Sequence, residues 1–523
     1  MISIAAGIER NAAQHPDKVA IRSAFGQMTY AELREAALAV HDAIIETREG
    51  GPHIFASLAG NTTPALVALI GARYADEPLV LLDTKMPTPE IAARCASMNV
   101  TTVFSDGTAA EETLGELSRS GLRVIDTQRV IDEGRSARGF AEGTPNLALG
   151  SSADAPIWHA PSGGSSGVLR AIALSESASL FRFASQTIEF GLDRSSSFLL
   201  CAPLIHGGGR SFAVGQLYGG GTLELHQKFQ VDDVLDALEH VQGAFLVPTM
   251  LARLIQTARW REVAARTSTV VVLSGGRLDD ELAAEASRGF SGRMFNYFGS
   301  TEAGSVSVTE YRDGQRRTAG DLGVFTVGCV GRVLPLPAGH SLADTSGDVG
   351  QLLVKTHGTC LWSLDIASGE RVAAVDGFWD HRDVVRVLED GSLGYIGRAD
   401  DMIVTGGVNI YPAEVVDALE SIDGVETARV LGLRSAEWGE IVAAVAVASS
   451  AMDVESLRAA LRSRVRPAAM PKALVLVEEI PLNAMGKVDG STLRRLLDEA
   501  GQNWIDRRGA GGRMPATTAR AHR

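Results

Sequence analysis

The run Ser162-Gly163-Gly164-Ser165-Ser166-Gly167, followed by Val168, Leu169 and Arg170, carries the first recognisable chemistry in the chain. Glycine backbones adopt turned conformations that other residues resist. They let successive N–H groups point inward, and such nests bind anions. The hydroxyls of Ser162, Ser165 and Ser166 add donors, and the guanidinium of Arg170 adds a fixed positive charge. This is the chemistry of a phosphate cradle. It is not of the Walker A kind, because no GxxxxGKS or GxxxxGKT is present. A Gly/Ser run also reads as a flexible surface loop, since such runs are common in linkers.

Three later clusters bring charge, hydroxyls and rings into tight spacing. Asn296-Tyr297-Phe298-Gly299-Ser300-Thr301-Glu302 ends in a hydroxyl and a carboxylate. A hard cation riding on phosphates needs a carboxylate, and Glu302 supplies one. The same order of residues also reads as a helix N-cap. Gly397-Arg398-Ala399-Asp400-Asp401-Met402-Ile403 precedes Gly406, Gly407 and Pro412-Ala413-Glu414. Alone, it is equally a turn with a surface ion pair, usually worth little. Pro481-Leu482-Asn483-Ala484-Met485-Gly486-Lys487 closes the series. Lysine is scarce, the others being Lys18, Lys85, Lys228, Lys355 and Lys472, so a lysine at the end of this motif is less readily incidental. The plain alternative is a solvated lysine in a turn.

The elements that must hold these groups alternate in type. A strand at 19–22 leads into an amphipathic helix at 31–45. Apolar runs at 54–58 and 79–82 bracket a helix at 64–74, and a Pro-started helix begins near Pro89. Alternation of this kind argues for an α/β architecture. A strand at 155–159 feeds the Gly/Ser run, and further α/β units follow to about residue 299. Residues 324–387 turn strand-rich. A smaller α+β unit follows from about residue 397, with helices at 412–419 and 454–465 and strands at 425–433, 442–448 and 473–477. The segment 501–523, rich in Arg, Gly and Ala, reads as a disordered tail.

Bulk properties exclude several classes. A chain of 523 residues is too long for one core and implies two or more domains. With 45% hydrophobic and 21% charged residues, it has the composition of an ordinary globular enzyme. A net charge of -14, with no basic stripe interleaved with aromatics, argues against a nucleic-acid partner. Cys95, Cys201, Cys329 and Cys360 are far apart and form no CxxC pair, which argues against a zinc site or a disulfide framework. The N-terminus lacks a signal-peptide h-region, and no apolar stretch is long enough for a membrane span. A cytoplasmic location is expected.

Together and in this order, the motifs resemble those of the adenylate-forming superfamily, which includes acyl- and aryl-CoA synthetases, nonribosomal-peptide adenylation domains and luciferases. The chain is most similar to the acyl-CoA synthetase branch, over essentially residues 1–500. The first loop resembles the family's T-G-x-P-K-G motif, with Leu169, Arg170 and Ala171 in place of Pro, Lys and Gly. Upstream of the second motif, Gly275 and Gly276 resemble the glycine turn beside adenine. Asp383 matches the ribose-binding Asp, with His381-Arg382 replacing Thr-Gly before it. Gly490 stands where the family has an Arg three residues after the motif lysine. Tyr30-Ala31-Glu32-Leu33, Val247-Pro248-Thr249 and Trp438-Gly439-Glu440 also match family positions.

The resemblance implies a large multi-subdomain N-terminal α/β domain, residues 1–399, that binds ATP and the acyl group. A small mobile α+β lid, residues 400–500, would follow. It implies ATP, Mg²⁺ and CoA as cofactors, and a small carboxylic acid activated to an acyl-adenylate and then joined to a thiol. In that scheme Ser162 to Gly167 and Arg170 hold phosphates, Phe298 stacks on adenine, Thr301 contacts the α-phosphate and Glu302 holds the metal. Asp383 and Arg398 contact the ribose, Asp400 is the hinge, and Lys487 bridges the carboxylate and the nucleotide. Gly406 leaves room for pantetheine after the lid turns. Ala202-Pro203-Leu204-Ile205-His206-Gly207-Gly208-Gly209 resembles the segment whose His orients the carboxylate, although His206 also reads as a satisfied core histidine. No Asp stands near it to pair an α-amine, which argues against an amino-acid substrate. Small residues at 207–209, 213, 215 and 219–221 suggest volume for a bulky apolar or aryl acid. The open alternatives are an acyl carrier protein as the thiol partner, a non-catalytic relative that binds nucleotide or acyl ligand, and luciferase-like oxidation. A biosynthetic and a catabolic role suit the chain equally.

Overall fold

The computed structural model describes residues 3–48, 53–138, 155–163, 169–276, 278–314, 320–336, 349–435, 438–449, 452–481 and 488–509. The chain forms two compact units. The first is built from Met1–Gly163, Val168–Gly331 and Val354–Asp380, and the second mainly from Arg332–Leu353 and His381–Arg523.

Two sheets organise the first unit. One runs in the order Gly26–Thr29, Val19–Ser23, Thr222–Leu225, Ser197–Leu200, Gly243–Leu246, Val270–Leu273, Arg293–Ser300, Gly304–Tyr311, Asp321–Phe325. Its six strands from Val19–Ser23 to Arg293–Ser300 are parallel, and antiparallel strands flank them on both sides. The central ones are four-residue apolar strands (Phe-Leu-Leu, Val-Val-Leu), as expected where helices cover both faces. The other sheet runs Arg371–Val372, Trp362–Asp365, Leu169–Ser175, Pro156–Gly163, Leu79–Asp83, Phe55–Ala59, Thr102–Ser105, Arg123–Asp126. Within it Pro156–Gly163 and Leu169–Ser175 pair antiparallel, with Ser162 opposite Arg170 and Gly163 opposite Leu169. The Gly/Ser run therefore joins two strands of a hairpin, and residues 164–168 lie outside the described residues.

The second unit contains a five-stranded sheet ordered Val408–Ile410, Ile403–Thr405, Gly439–Ala448, Val425–Ser435, with Ala473–Val477 parallel to Gly439–Ala448. The strand Gly439–Ala448 is apolar on both sides. Val442, Ala444 and Ala446 join the core made with helices Pro412–Glu420 and Val454–Leu461. Ile441, Ala443 and Val445 pack with Leu493 and Leu497 of the helix Gly490–Gly509. Side chains alternate between faces along a strand, so two covered faces require a continuous apolar run.

Two expectations change. The helix Gly490–Gly509 runs nine residues into the stretch read as a disordered tail. Its sequence there, GQNWIDRRG, has the length and the apolar residues to continue a helix already anchored by Leu493 and Leu497, and composition alone had hidden that. Thr301-Glu302 does not cap a helix either: it lies in the turn between the antiparallel strands Arg293–Ser300 and Gly304–Tyr311. All four cysteines are buried and unpaired. Among the described residues no helix is long and apolar enough to cross a membrane.

Helices Tyr30–Arg48 and Thr63–Tyr74 cross at Gly71, where a Cβ would sit 2.6 Å from Val40 Cβ and 2.8 Å from the Ala37 carbonyl oxygen. Alanine is the better helix former by about 1 kcal/mol, but overpacking costs about 1–3 kcal/mol. Gly71→Ala is therefore expected to lower the denaturation midpoint. An unchanged or raised midpoint would show that the helices separate at no cost.

Candidate functional site

Four adjacent parallel strands of the first sheet end on the same side, and the motif residues of the first unit follow those ends. After Ser197–Leu200 comes the segment to His206, and after Gly243–Leu246 comes Val247-Pro248. Gly275 and Gly276 follow Val270–Leu273, and Phe298 to Glu302 close Arg293–Ser300. Ligands of α/β sheets bind in the crevice outside the carboxyl ends of such strands.

Local chemistry explains how each stretch is held. Asn61, buried, donates from Nδ2 to the Ala202 carbonyl at 2.8 Å and accepts at Oδ1 from the Leu204 N–H at 2.8 Å, fixing the approach to His206. His206 is the N-cap residue of helix Gly207–Gly219. A Cβ on Gly207 would lie 3.4 Å from Thr301 Oγ1, so the start of this helix touches the Thr301 turn. Gly275 takes φ +86, a conformation that favours glycine, and Gly276 lies against Pro248. Tyr297 is buried and Phe298 half-buried, where the strand passes from its buried middle to its half-buried end. The Ala303 N–H donates to Ser300 Oγ at 3.0 Å and pins the turn that carries Thr301 and Glu302. Glu302 is half-buried. Among the described residues no cluster of three metal-ligating side chains occurs. A single carboxylate suits Mg²⁺ that arrives on nucleotide phosphates and keeps its waters, and does not suit an all-protein cage.

The small residues read as free volume do something else. A Cβ on Gly208 would lie 2.7 Å from Phe245 Cζ, one on Gly209 would lie 2.5 Å from the Pro203 carbonyl oxygen, and one on Gly221 would lie 2.0 Å from Gln216 Nε2. These three glycines admit close neighbours, whereas a Cβ on Gly219 would meet nothing within 4 Å. The size of the acid therefore cannot be read from them.

Sequence reasoning missed two buried cations here. Arg182, on helix Glu176–Phe190, donates to the carbonyls of Gly358, Thr301 and Glu302. Arg210 donates from Nη1 to the Ile205 carbonyl at 2.8 Å and lies 5.2 Å from the centre of the Trp158 ring. Burial and then the charge of Arg182 push the Arg210 pKa down to about 9. Arg170 stands opposite Asp365 on the neighbouring strand and helps hold that carboxyl below its ordinary range, after the hydrogen bonds Asp365 receives near Ser368.

In the second unit Asp383 and Arg398 are cross-strand partners in the pairing of Trp379–Val387 with Leu393–Arg398. Arg398 donates to Asp400 from Nε at 2.9 Å and from Nη2 at 3.0 Å, and its Nη1 lies 3.5 Å from Asp383 Oδ1. Burial opposes the Arg398 charge, yet the bonds to Asp400 and the charges of Asp383, Asp400 and Asp401 raise its pKa. Asp383 is buried and also pairs with His381 Nδ1. Gly406 and Gly407 take φ +57 and +82. A Cβ on Gly406 would meet Trp438 Cε3 at 2.9 Å, and the Gly406 N–H donates to the Trp438 carbonyl at 2.9 Å. Beside them an open cavity of about 760 Å³ is lined by Val404, Gly407, Arg434, Ser435, Trp438, Gly439 and Glu440. Lys487 and Gly164 to Gly167 lie outside the described residues; Ser162 and Gly163 are described only as strand backbone.

Comparison with known proteins supports one reading of this arrangement. The AMP-binding enzyme profile matches residues 8–361, and the AMP-binding enzyme C-terminal domain matches residues 414–487. A feruloyl-CoA synthase from Amycolatopsis is 28% identical over 500 residues, covering 93% of this chain and 97% of that protein. A 2-succinylbenzoate–CoA ligase from Bacillus pumilus is 25% identical, covering 92% and 95%. In fold, the chain is similar to ATP-bound MatB from Rhodopseudomonas palustris, with a TM-score of 0.82 and 22% identity over 96% of this chain and 100% of that one. It is also similar to o-succinylbenzoate CoA synthetase from Bacillus subtilis in complex with its acyl-adenylate, with a TM-score of 0.77 and 21% identity over 93% and 97%.

Arg382 stands at φ +63 between His381 and Asp383, a left-handed conformation that costs a side-chain-bearing residue about 1–2 kcal/mol. Glycine occupies the corresponding place in the motif. Arg382→Gly is expected to raise unfolding stability by about 1 kcal/mol, read from a denaturant titration. A loss of stability would show that the Arg382 side chain contributes more than its backbone costs.

Proposed function

The chain belongs to the AMP-binding enzyme family, and we propose that its acid substrate is an aromatic carboxylic acid. It is an AMP-forming acid–thiol ligase: it activates a carboxylic acid with ATP to an acyl-adenylate, releases pyrophosphate, and forms a thioester with CoA. The aromatic class is supported by relatives named for feruloyl, 2-succinylbenzoate and indoleacetate substrates. The observation that carries the site assignment is the convergence of His206, Gly275, Gly276, Phe298, Thr301 and Glu302 at neighbouring strand ends, with Gly207 against Thr301.

On this reading a carboxylate oxygen attacks the α-phosphorus of ATP, and the bond to the bridging oxygen of pyrophosphate breaks in line. The protein's work is positioning and charge neutralisation. His206 orients the carboxylate and the Thr301 hydroxyl contacts the α-phosphate. Phe298 stacks on adenine beside Gly275 and Gly276. The 162–167 run and Arg170 hold the β- and γ-phosphates, and Asp383 and Arg398 the ribose. Glu302 would hold the Mg²⁺ that ATP carries, an ion that offsets charge growing on the phosphates. Lys487 would stabilise the charge shared between carboxylate and α-phosphate. The lid, residues 400–500, would pivot at Asp400 between the two half-reactions, and Gly406 with the Trp438 cavity would then serve the thiol. We place the enzyme in the cytoplasm, where ATP and CoA are supplied, with no nucleic-acid partner.

Acid-dependent ATP–pyrophosphate exchange across benzoates, cinnamates, fatty acids and amino acids, with CoA consumption followed in parallel, tests the substrate class. Exchange and CoA loss with aromatic acids are expected. Exchange with fatty acids alone would overturn the aromatic assignment, and exchange without CoA loss would move the thiol to a carrier protein. Lys487→Ala should lower exchange by roughly 100-fold or more while preformed acyl-adenylate still reacts with CoA; full exchange in that variant would remove Lys487 from the first step. Gly406→Leu should impair thioester formation from preformed adenylate more than exchange. Equal losses in both would mean that the Trp438 clash disturbs the whole lid and that Gly406 has no special role toward the thiol.

A further inference from the structure

We propose that Arg182 is a positioning residue for adenylate formation, fixing the Thr301–Glu302 turn from beneath through its backbone carbonyls. The proposal rests on the reading of Thr301 and Glu302 as the α-phosphate and metal contacts. No motif in the sequence includes Arg182.

The geometry is specific to a guanidinium. Nε and Nη2 donate to the Gly358 carbonyl at 2.8 and 2.7 Å, and Nη2 also donates to the carbonyls of Thr301 at 2.9 Å and Glu302 at 3.3 Å. One planar fork thus ties its helix to two loops distant in sequence. From the other loop the Cys360 N–H donates to the Glu302 carbonyl at 2.7 Å. The carbonyl of Glu302 is held by two donors, and its carboxylate is used by neither. These bonds set where the Thr301 hydroxyl and the Glu302 carboxylate stand without competing for them.

The turn is also shaped to receive this side chain. Gly304, which closes it, takes φ +76, and a Cβ there would lie 2.7 Å from Arg182 Nε. A Cβ on Gly358 would lie 3.1 Å from Arg182 Cγ. Arg182 is buried, its hydrogen bonds go to backbone carbonyls, and the Glu302 carboxylate acts on it only through space. Burial lowers its pKa from the ordinary arginine value. A lysine ammonium lacks the second donor that Nε gives to the Gly358 carbonyl, and its shorter stem does not carry a nitrogen to the place of Nη2.

A buried hub could be merely structural, and the test must separate the two roles. Arg182→Lys keeps the charge and removes the fork. It is expected to stay folded, with kcat for ATP–pyrophosphate exchange lowered roughly 10-fold or more because small misplacements at a reacting centre are costly. The KM for the acid should stay within about twofold, and the half-saturating Mg²⁺ concentration should rise severalfold, since only the α-phosphate and metal contacts are displaced. Arg182→Met should lose more in the same two readouts. If Arg182→Met does not fold, Arg182→Lys decides alone. Wild-type kcat and Mg²⁺ dependence in Arg182→Lys would overturn the proposal, as would losses that only track the folded fraction seen by circular dichroism. Glu302→Gln, measured alongside, separates the underlying reading. An unchanged Mg²⁺ dependence there would remove the metal role of Glu302, while the kcat-against-KM split in Arg182→Lys would still decide whether Arg182 positions Thr301.

Discussion

The first turn of helix Gly207–Gly219 must come within contact of three neighbours at once, and the site depends on that approach. Gly207 lies against Thr301, Gly208 against the Phe245 ring and Gly209 against the Pro203 carbonyl. Any Cβ at 208 or 209 would push the helix start away from the strand ends, because packed interiors have no spare volume. His206, at the N-cap of this helix, would move with it. The ends of the parallel strands provide an edge, and the glycine triplet brings a helix terminus down onto it.

Much of this was legible because it is encoded locally. The α/β alternation, the apolar central strands and the motif stretches at strand ends each occupy a few consecutive residues whose types report their role. The small unit was read nearly element by element, since Gly439–Ala448 carries the apolar run that two covered faces demand. Other features depend on distant partners. The acceptors of Arg182 are 176, 119 and 120 residues away, and no spacing in the sequence announces such a pairing. The close neighbours of Gly208, Gly209 and Gly221 were hidden for the same reason. A glycine in a sequence is compatible with empty space and with a close neighbour alike, and only the position of Phe245, Pro203 and Gln216 distinguishes them. The helix continuing to Gly509 shows a third cause, in that its anchor at Leu493 and Leu497 precedes the segment whose composition suggested disorder.

Arg382 replaces a glycine and retains a left-handed φ, with its carbonyl accepting from the Ala399 N–H at 2.7 Å. That bond ties the pair Asp383 and Arg398 into one register, so the strained residue is over-determined by the hairpin around it. Arg398 is then shared between Asp383 and Asp400, one on the opposing strand and one two residues on. Asp383 and Asp400 are thus coupled through a single guanidinium.

Electrostatics also resolves an apparent conflict between the chain's overall charge and its ligand. A protein of net charge -14 must bind a polyphosphate. Surface acids are screened within about 8–10 Å at physiological salt, so the net figure says little about the potential at a buried turn. There, Arg182 and Arg210 are both buried, bond to carbonyls, and have no carboxylate in an ion pair among the described residues. Burial and then the charge of Arg182 lower the Arg210 pKa to about 9, and burial lowers that of Arg182. Arg182 and Arg210 stand behind the Thr301 turn and the His206 helix start, with the Glu302 carboxylate near enough to act on Arg182. Burying unpaired charge costs stability, and an anion brought to the strand ends recovers part of that cost. Two buried arginines behind the strand ends therefore favour the carboxylate and phosphates that the reaction must bring together.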